Sequence, residues 1–114
     1  MNTYRFSDFE KYGKVAALVM GYLRNEIHEN VKLGRNCFGK RTWACAPIVD
    51  ITDYLASIPL IIGVGKGEPG ISNAQVRYAV SKLVGIGVLM ESNFNRTPYD
   101  RAKWYAFRDE WKDQ

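Results

Sequence analysis

The side chains best equipped for chemistry in this chain gather around one stretch, "ISNAQVRYAVSKLVGIGVLMESN", residues 71–93. Asn73, Gln75, Arg77, Tyr78, Ser81 and Lys82 fall at spacings that a helix would turn to its outer side. Such groups suit flat polar ligands on a charged backbone. Asn and Gln can pair bidentately with adenine and Arg with guanine, while Lys and Ser suit phosphate oxygens. A second group follows at Asn93, Asn95, Arg96, Arg101 and Lys103. Gln75 has a competing local role, since Ser72 and Gln75 have the spacing of a capping box. Arg101 and Lys103 also fit the solvent side of an alternating strand. Arg77 has no such local explanation.

Catalysis has less to work with. The chain holds one histidine, His28, no nucleophile–base pair and no carboxylate pair on an evident scaffold. Asp50 and Asp53 read as charge that favours a helix start. Cys37 and Cys45 lack the close pairing of a zinc or redox motif, and His28 completes no ligand set with them. Reduced, partly buried thiols are expected, with no metal, no cofactor and no small-molecule substrate. The glycine-rich run "LIIGVGKGEPG" could cradle an anion on its backbone, but it lacks the Lys-Ser or Lys-Thr of a nucleotide-binding loop.

Positioning the basic and amide groups requires elements, and the apolar spacing supplies them. "SDFE" at residues 7–10 has capping-box spacing and opens a short helical turn ending at Gly13. Val15, Leu18, Val19, Tyr22, Leu23 and Ile27 then form one helical face, predicting a helix from Lys14 to about Asn30. Lys14, Arg24, Asn25, Glu29 and Asn30 fall mostly on its other faces. Residues 32–40 read as a polar loop and "RTWACAP" as a short strand ended by Pro47. "IVDITDYLASIP" reads as a helix capped by Asp50 or Thr52, with Ile51, Tyr54, Leu55 and Ile58 turned inward. The helix of the opening stretch runs from Asn73 to about Ile86, with Val76, Ala79, Val80 and Leu83 inward and Gly87 as its stop. "VLMES" and "DRAKWYAF" are strands joined by the polar turn "NFNRTPY".

With 114 residues, 46% of them apolar, the chain suffices for one domain over 1–114. Its core lies at about 4–108, and 109–114 form a short tail. The longest apolar stretch, Val15 to Leu23, is too short to span a bilayer. The start lacks the apolar segment of a signal peptide, so a cytoplasmic location, away from membranes, is expected. The net charge of +4 is modest, but residues 66–103 hold six basic groups against three acidic ones. Residues 30–49 hold Lys32, Arg35, Lys40 and Arg41 with no acid. Such clusters attract phosphates by releasing counterions, though they also suit an ordinary solvated surface.

"YGKVAALVMGYLRNEI" (12–27), Trp43 in "RTWACA", Val76-Arg77-x-Ala79-x-x-x-Leu83 and "DRAKWYAF" (100–107) occur in an order that resembles the winged helix-turn-helix domain of phage and plasmid replication proteins. That resemblance spans roughly residues 4–108. It implies an α+β fold: a three-helix core, a C-terminal β-hairpin wing and a short extra strand. It also implies contacts with double-stranded DNA through Asn73, Arg77, Tyr78, Ser81 and Lys82 on the third helix. On the wing it points to Asn95, Arg96, Arg101 and Lys103. The expected role is a phage or mobile-element transcriptional regulator or replication accessory factor, with a homodimer on a two-part site supplying specificity.

The sequence departs from that pattern at three places. The chain ends where the wing ends, which points away from a full replication initiator. "LVGIG" puts Gly85 inside the helix between apolar Val84 and Ile86, and the connection before the helix is long and contains Leu60, Ile61 and Ile62. Leu60, Ile61, Ile62, Val84 and Ile86 therefore support an alternative, a protein-binding inhibitor of a host enzyme or defence complex.

Overall fold

The computed structural model describes residues 6–57, 71–95 and 102–108. Helix α1 (Phe6–Tyr12) ends at Gly13, whose φ of 91° favours glycine, and α2 (Lys14–Leu33) starts at the next residue. Because α1 already includes Phe6, Ser7 lies inside the helix and does not cap it. The expected face of α2 is buried at Leu18, Val19 and Leu23, while Val15, Tyr22 and Ile27 pack at its margins. Burial goes further than one stripe, since every residue from Ala16 to Gly21 is covered. Helix α2 also runs a turn beyond Asn30, because Gly34 adopts the left-handed conformation (φ 65°) that closes a helix.

Residues 35–43 form a hairpin where a loop is expected. Strands β1 (Cys37–Phe38) and β2 (Arg41–Thr42) pair antiparallel across Gly39 and Lys40, both at positive φ (61° and 65°). Two such residues make the tight turn whose twist matches a hairpin. The strand expected over "RTWACAP" is thereby split, with β3 (Ala44–Cys45) joining a different sheet. There β5 (Trp104–Phe107) is central, between β3 and β4 (Leu89–Ser92), with antiparallel pairing on both sides.

Helix α3 (Ile48–Ser57) starts earlier than Asp50 or Thr52 would allow as caps. The Pro47 carbonyl accepts from the Asp50 and Ile51 amides (3.0 and 3.2 Å), and the Thr52 hydroxyl donates to the Ile48 carbonyl at 2.9 Å. Ile51 and Leu55 are buried, but Tyr54 is exposed and leans on Tyr22 with ring centroids 5.0 Å apart. Ile58 lies outside the described residues. Helix α4 (Asn73–Gly85) carries both halves of its capping box: the Gln75 amide donates to Ser72 Oγ at 3.2 Å, and the Ser72 amide donates to Gln75 Oε1 at 2.9 Å. Val76, Ala79, Val80 and Leu83 are buried as their spacing requires, and Gly87 (φ 87°) turns the chain into β4.

The fold is thus α+β, with helices packed against small antiparallel sheets, and α2 contacts α1, α3, α4 and β3. Arg24 and Asn30, which fall off the apolar face of α2 by spacing, are nonetheless largely covered. Arg24 Nη1 donates to Asp8 Oδ2 at 2.6 Å, tying α2 to α1, and its guanidinium lies over the Phe107 ring. Asn30 donates to the Trp43 carbonyl (2.9 Å) and accepts from Arg35 Nε (2.6 Å), fixing the end of α2 to the hairpin. No described helix is long and apolar enough to cross a membrane.

Candidate nucleic-acid interface

Helix α4 is split cleanly between two environments. Its buried stripe faces α2 and α3, and its outer side exposes Asn73, Arg77, Tyr78, Ser81 and Lys82. The helix contains no Asp or Glu, so these groups sit in a positive local field. Tyr78 is 73% exposed, well beyond what a phenol ring needs for packing. Among the described residues, Arg77 has no hydrogen-bond or ion-pair partner. Lys82 is partly engaged: its Nζ lies 3.4 Å from the carbonyl of Tyr12, the last residue of α1, where a cation suits the helix dipole. Beside this face a groove of about 450 Å³ opens between α4 and the α1–α2 junction, with Tyr12, Lys14, Gln75, Tyr78 and Lys82 along its walls.

The wing residues divide differently. Asn95 donates to the Ala102 carbonyl (2.7 Å) and accepts from the Trp104 indole N–H (2.8 Å). Both ends of its amide are therefore used to tie the end of β4 to the start of β5. The Asn93 side chain accepts from the Asn95 backbone amide at 2.9 Å, so it also serves the local turn. Lys103 remains exposed, 3.8 Å from Glu91 across the hairpin, a surface pair worth about 1 kcal/mol or less. Arg96, Arg101, Leu60, Ile61 and Ile62 lie outside the described residues. Val84 packs against the core, whereas Ile86 is 55% exposed.

The structure brings one further element to the β4–β5 pair. Phe38, on the β1–β2 hairpin, stacks on Phe94 with centroids 4.3 Å apart and planes 9° from parallel. Trp104 meets both rings edge-on at 5.7 Å, and Trp43 meets Phe94 at 5.0 Å. The basic stretch thereby meets the β4–β5 pair. Within it, Lys32 pairs with Glu29 (3.8 Å), Arg35 binds Asn30 and Arg41 Nη1 donates to the Phe107 carbonyl (2.8 Å). Lys40 stands exposed at the turn. The one sequence signal for this hairpin was Gly39 ahead of Lys40 between "CF" and "RT".

Neither Cys37 nor Cys45 forms a disulfide, and both are exposed where partial burial is expected. Among the described residues no group of three or more His, Cys, Asp or Glu could hold a metal ion. Two phenols are held neutral well above their ordinary range. Burial, then Glu26 and Asp50, pushes Tyr22 up to about 12, and burial, then Glu91, does the same for Tyr105. Both shifts reflect packing in and around the core, away from the α4 face.

No family model, no curated protein and no solved structure matches the chain. Its own geometry carries the functional reading.

Proposed function

We propose that this chain is a small DNA-binding protein with a winged-helix layout. In this reading α2, α3 and α4 are the three core helices, β4 and β5 the wing, and β3 the extra strand. Helix α4 enters the major groove with Arg77 and Asn73 toward base edges, while Ser81, Lys82 and Lys103 meet phosphates. The carrying observation is the outer face of α4, which exposes Arg77 and Tyr78 with no acid anywhere in the helix. Asn95 is assigned to holding the wing together, given its two internal hydrogen bonds.

The test is fluorescence anisotropy with a duplex of random sequence at low and moderate salt. Binding should weaken steeply with salt, as phosphate neutralisation requires. At a preferred site, selected afterwards from random duplexes, Arg77→Ala should weaken binding about 5- to 100-fold, the range expected for a base-contacting arginine. No binding at low salt would reject the reading. A second reading, a protein-binding module acting on a host enzyme, draws on exposed Tyr78 and Ile86 flanking the same face. Loss of partner capture in Ile86→Asp, with duplex binding absent in the parent, would favour it.

A further inference from the structure

We propose that the aromatic cluster where the β1–β2 hairpin meets the wing is a stacking site for an unpaired base of single-stranded DNA. Phe38 and Phe94 already form a parallel ring stack, the arrangement that a nucleobase extends by one further layer. Phe38 remains 39% exposed, although the Phe94 and Trp104 rings both pack against it.

The rings are held in place before any ligand arrives. The Trp43 indole N–H donates to the Phe38 carbonyl at 3.1 Å, and the Trp104 indole N–H donates to Asn95 Oδ1 at 2.8 Å. Positive φ at Gly39 and Lys40 fixes the hairpin that carries Phe38. A base stacking there orders little that is not already ordered, which favours binding.

The surrounding charge selects the ligand. Lys40 is exposed two residues from Phe38, and residues 30–49 contain no acid. Glu91, across the hairpin, is already paired with Lys103. A cationic ligand would be repelled by Lys40. A phosphodiester chain suits both the charge and the rings: its phosphates meet Lys40 while one base meets Phe38. The choice of DNA over RNA rests on the proposed function of α4, whereas the stacking site itself stands apart from that helix.

The test uses the whole protein and an oligothymidine of about twelve nucleotides, within the length such sites span. Tryptophan emission should be quenched on binding. Phe38→Ala should weaken binding about 10-fold, in line with the loss of one stacked base. Phe38→Trp should restore it, which separates stacking from misfolding. Lys40→Asn removes the charge with a residue that tolerates positive φ, and it should weaken binding and reduce its salt dependence. Blunt-duplex affinity should stay unchanged in Phe38→Ala, so this site and α4 fail or stand separately. Parent-like oligothymidine binding by Phe38→Ala, or no quenching at low salt, would overturn the proposal. Tighter binding of oligouridine would overturn the assignment to DNA. Self-association of the parent that Phe38→Ala abolishes would give the ring to a second copy of the chain instead.

Discussion

Asp8→Ala is expected to cost this small protein a large share of its stability. The Asp8 carboxylate and Arg24 guanidinium meet at 2.6 Å with only 6% and 10% of their side chains exposed, and Arg24 also lies over Phe107. One contact thus ties α1 to α2 and brings α2 onto β5. Removing the carboxylate deletes a charge-assisted hydrogen bond and leaves a guanidinium in a poorly solvated site. Breaking one side of a buried pair costs about 3–5 kcal/mol, and other contacts of Arg24 place the expectation near the lower figure, about 3 kcal/mol. Domains of this size hold about 5–15 kcal/mol in all. In urea denaturation followed by tryptophan fluorescence, a slope of about 1.5 kcal/mol/M converts that loss into a midpoint lower by about 2 M. The double variant Asp8→Leu/Arg24→Met should recover most of the loss, because it removes both charges and keeps apolar volume. An Asp8→Ala protein within about 1 kcal/mol of the parent would refute the assignment of this pair as the α1–α2 tie.

Asn95→Ala should destabilise by about 1–3 kcal/mol, because the Trp104 indole N–H loses its acceptor, and urea midpoints would register it. Gly85→Ala should raise stability by about 0.4–1 kcal/mol, since an added methyl meets nothing within 4 Å and the backbone needs no positive φ; thermal melts would show this. Unchanged DNA affinity in that variant would place the bound ligand away from the end of α4. Tyr22 and Tyr105 are raised from 10 to about 12, so the stability gained by keeping them neutral is complete below pH 10 and is lost as pH rises through about 12. Urea midpoints should fall over that window, and Tyr22→Phe should make the fall shallower.

Elements with long periodic faces were legible from the sequence. The α4 stripe, its capping box and its Gly87 stop all follow from local rules, and each is found where those rules put it. The β1–β2 hairpin was not legible, because two-residue strands have no alternation to detect and its only mark was Gly39 before Lys40. Arg24 and Asn30 look like surface residues by spacing alone. Their partners, Asp8 and Trp43, are 16 and 13 positions away, so only the packing of α1 and the hairpin reveals their burial. Tyr54 was expected inside because it shares a stripe with Ile51 and Leu55, yet a ring at the edge of that stripe found Tyr22 and solvent. For the candidate site, the sequence identified the exposed residues of α4. It did not distinguish Lys103, exposed beside Glu91, from Asn95, whose amide is used in hydrogen bonds to Ala102 and Trp104.

The most direct measurement for the central claim is amide chemical-shift mapping of the ¹⁵N-labelled protein while random duplex DNA is added at low salt. The account predicts shifts concentrated at Asn73, Arg77, Tyr78, Ser81 and Lys82, with the buried stripe of α4 largely silent. A duplex that binds while these five residues stay unshifted, or that does not bind at all, would contradict it.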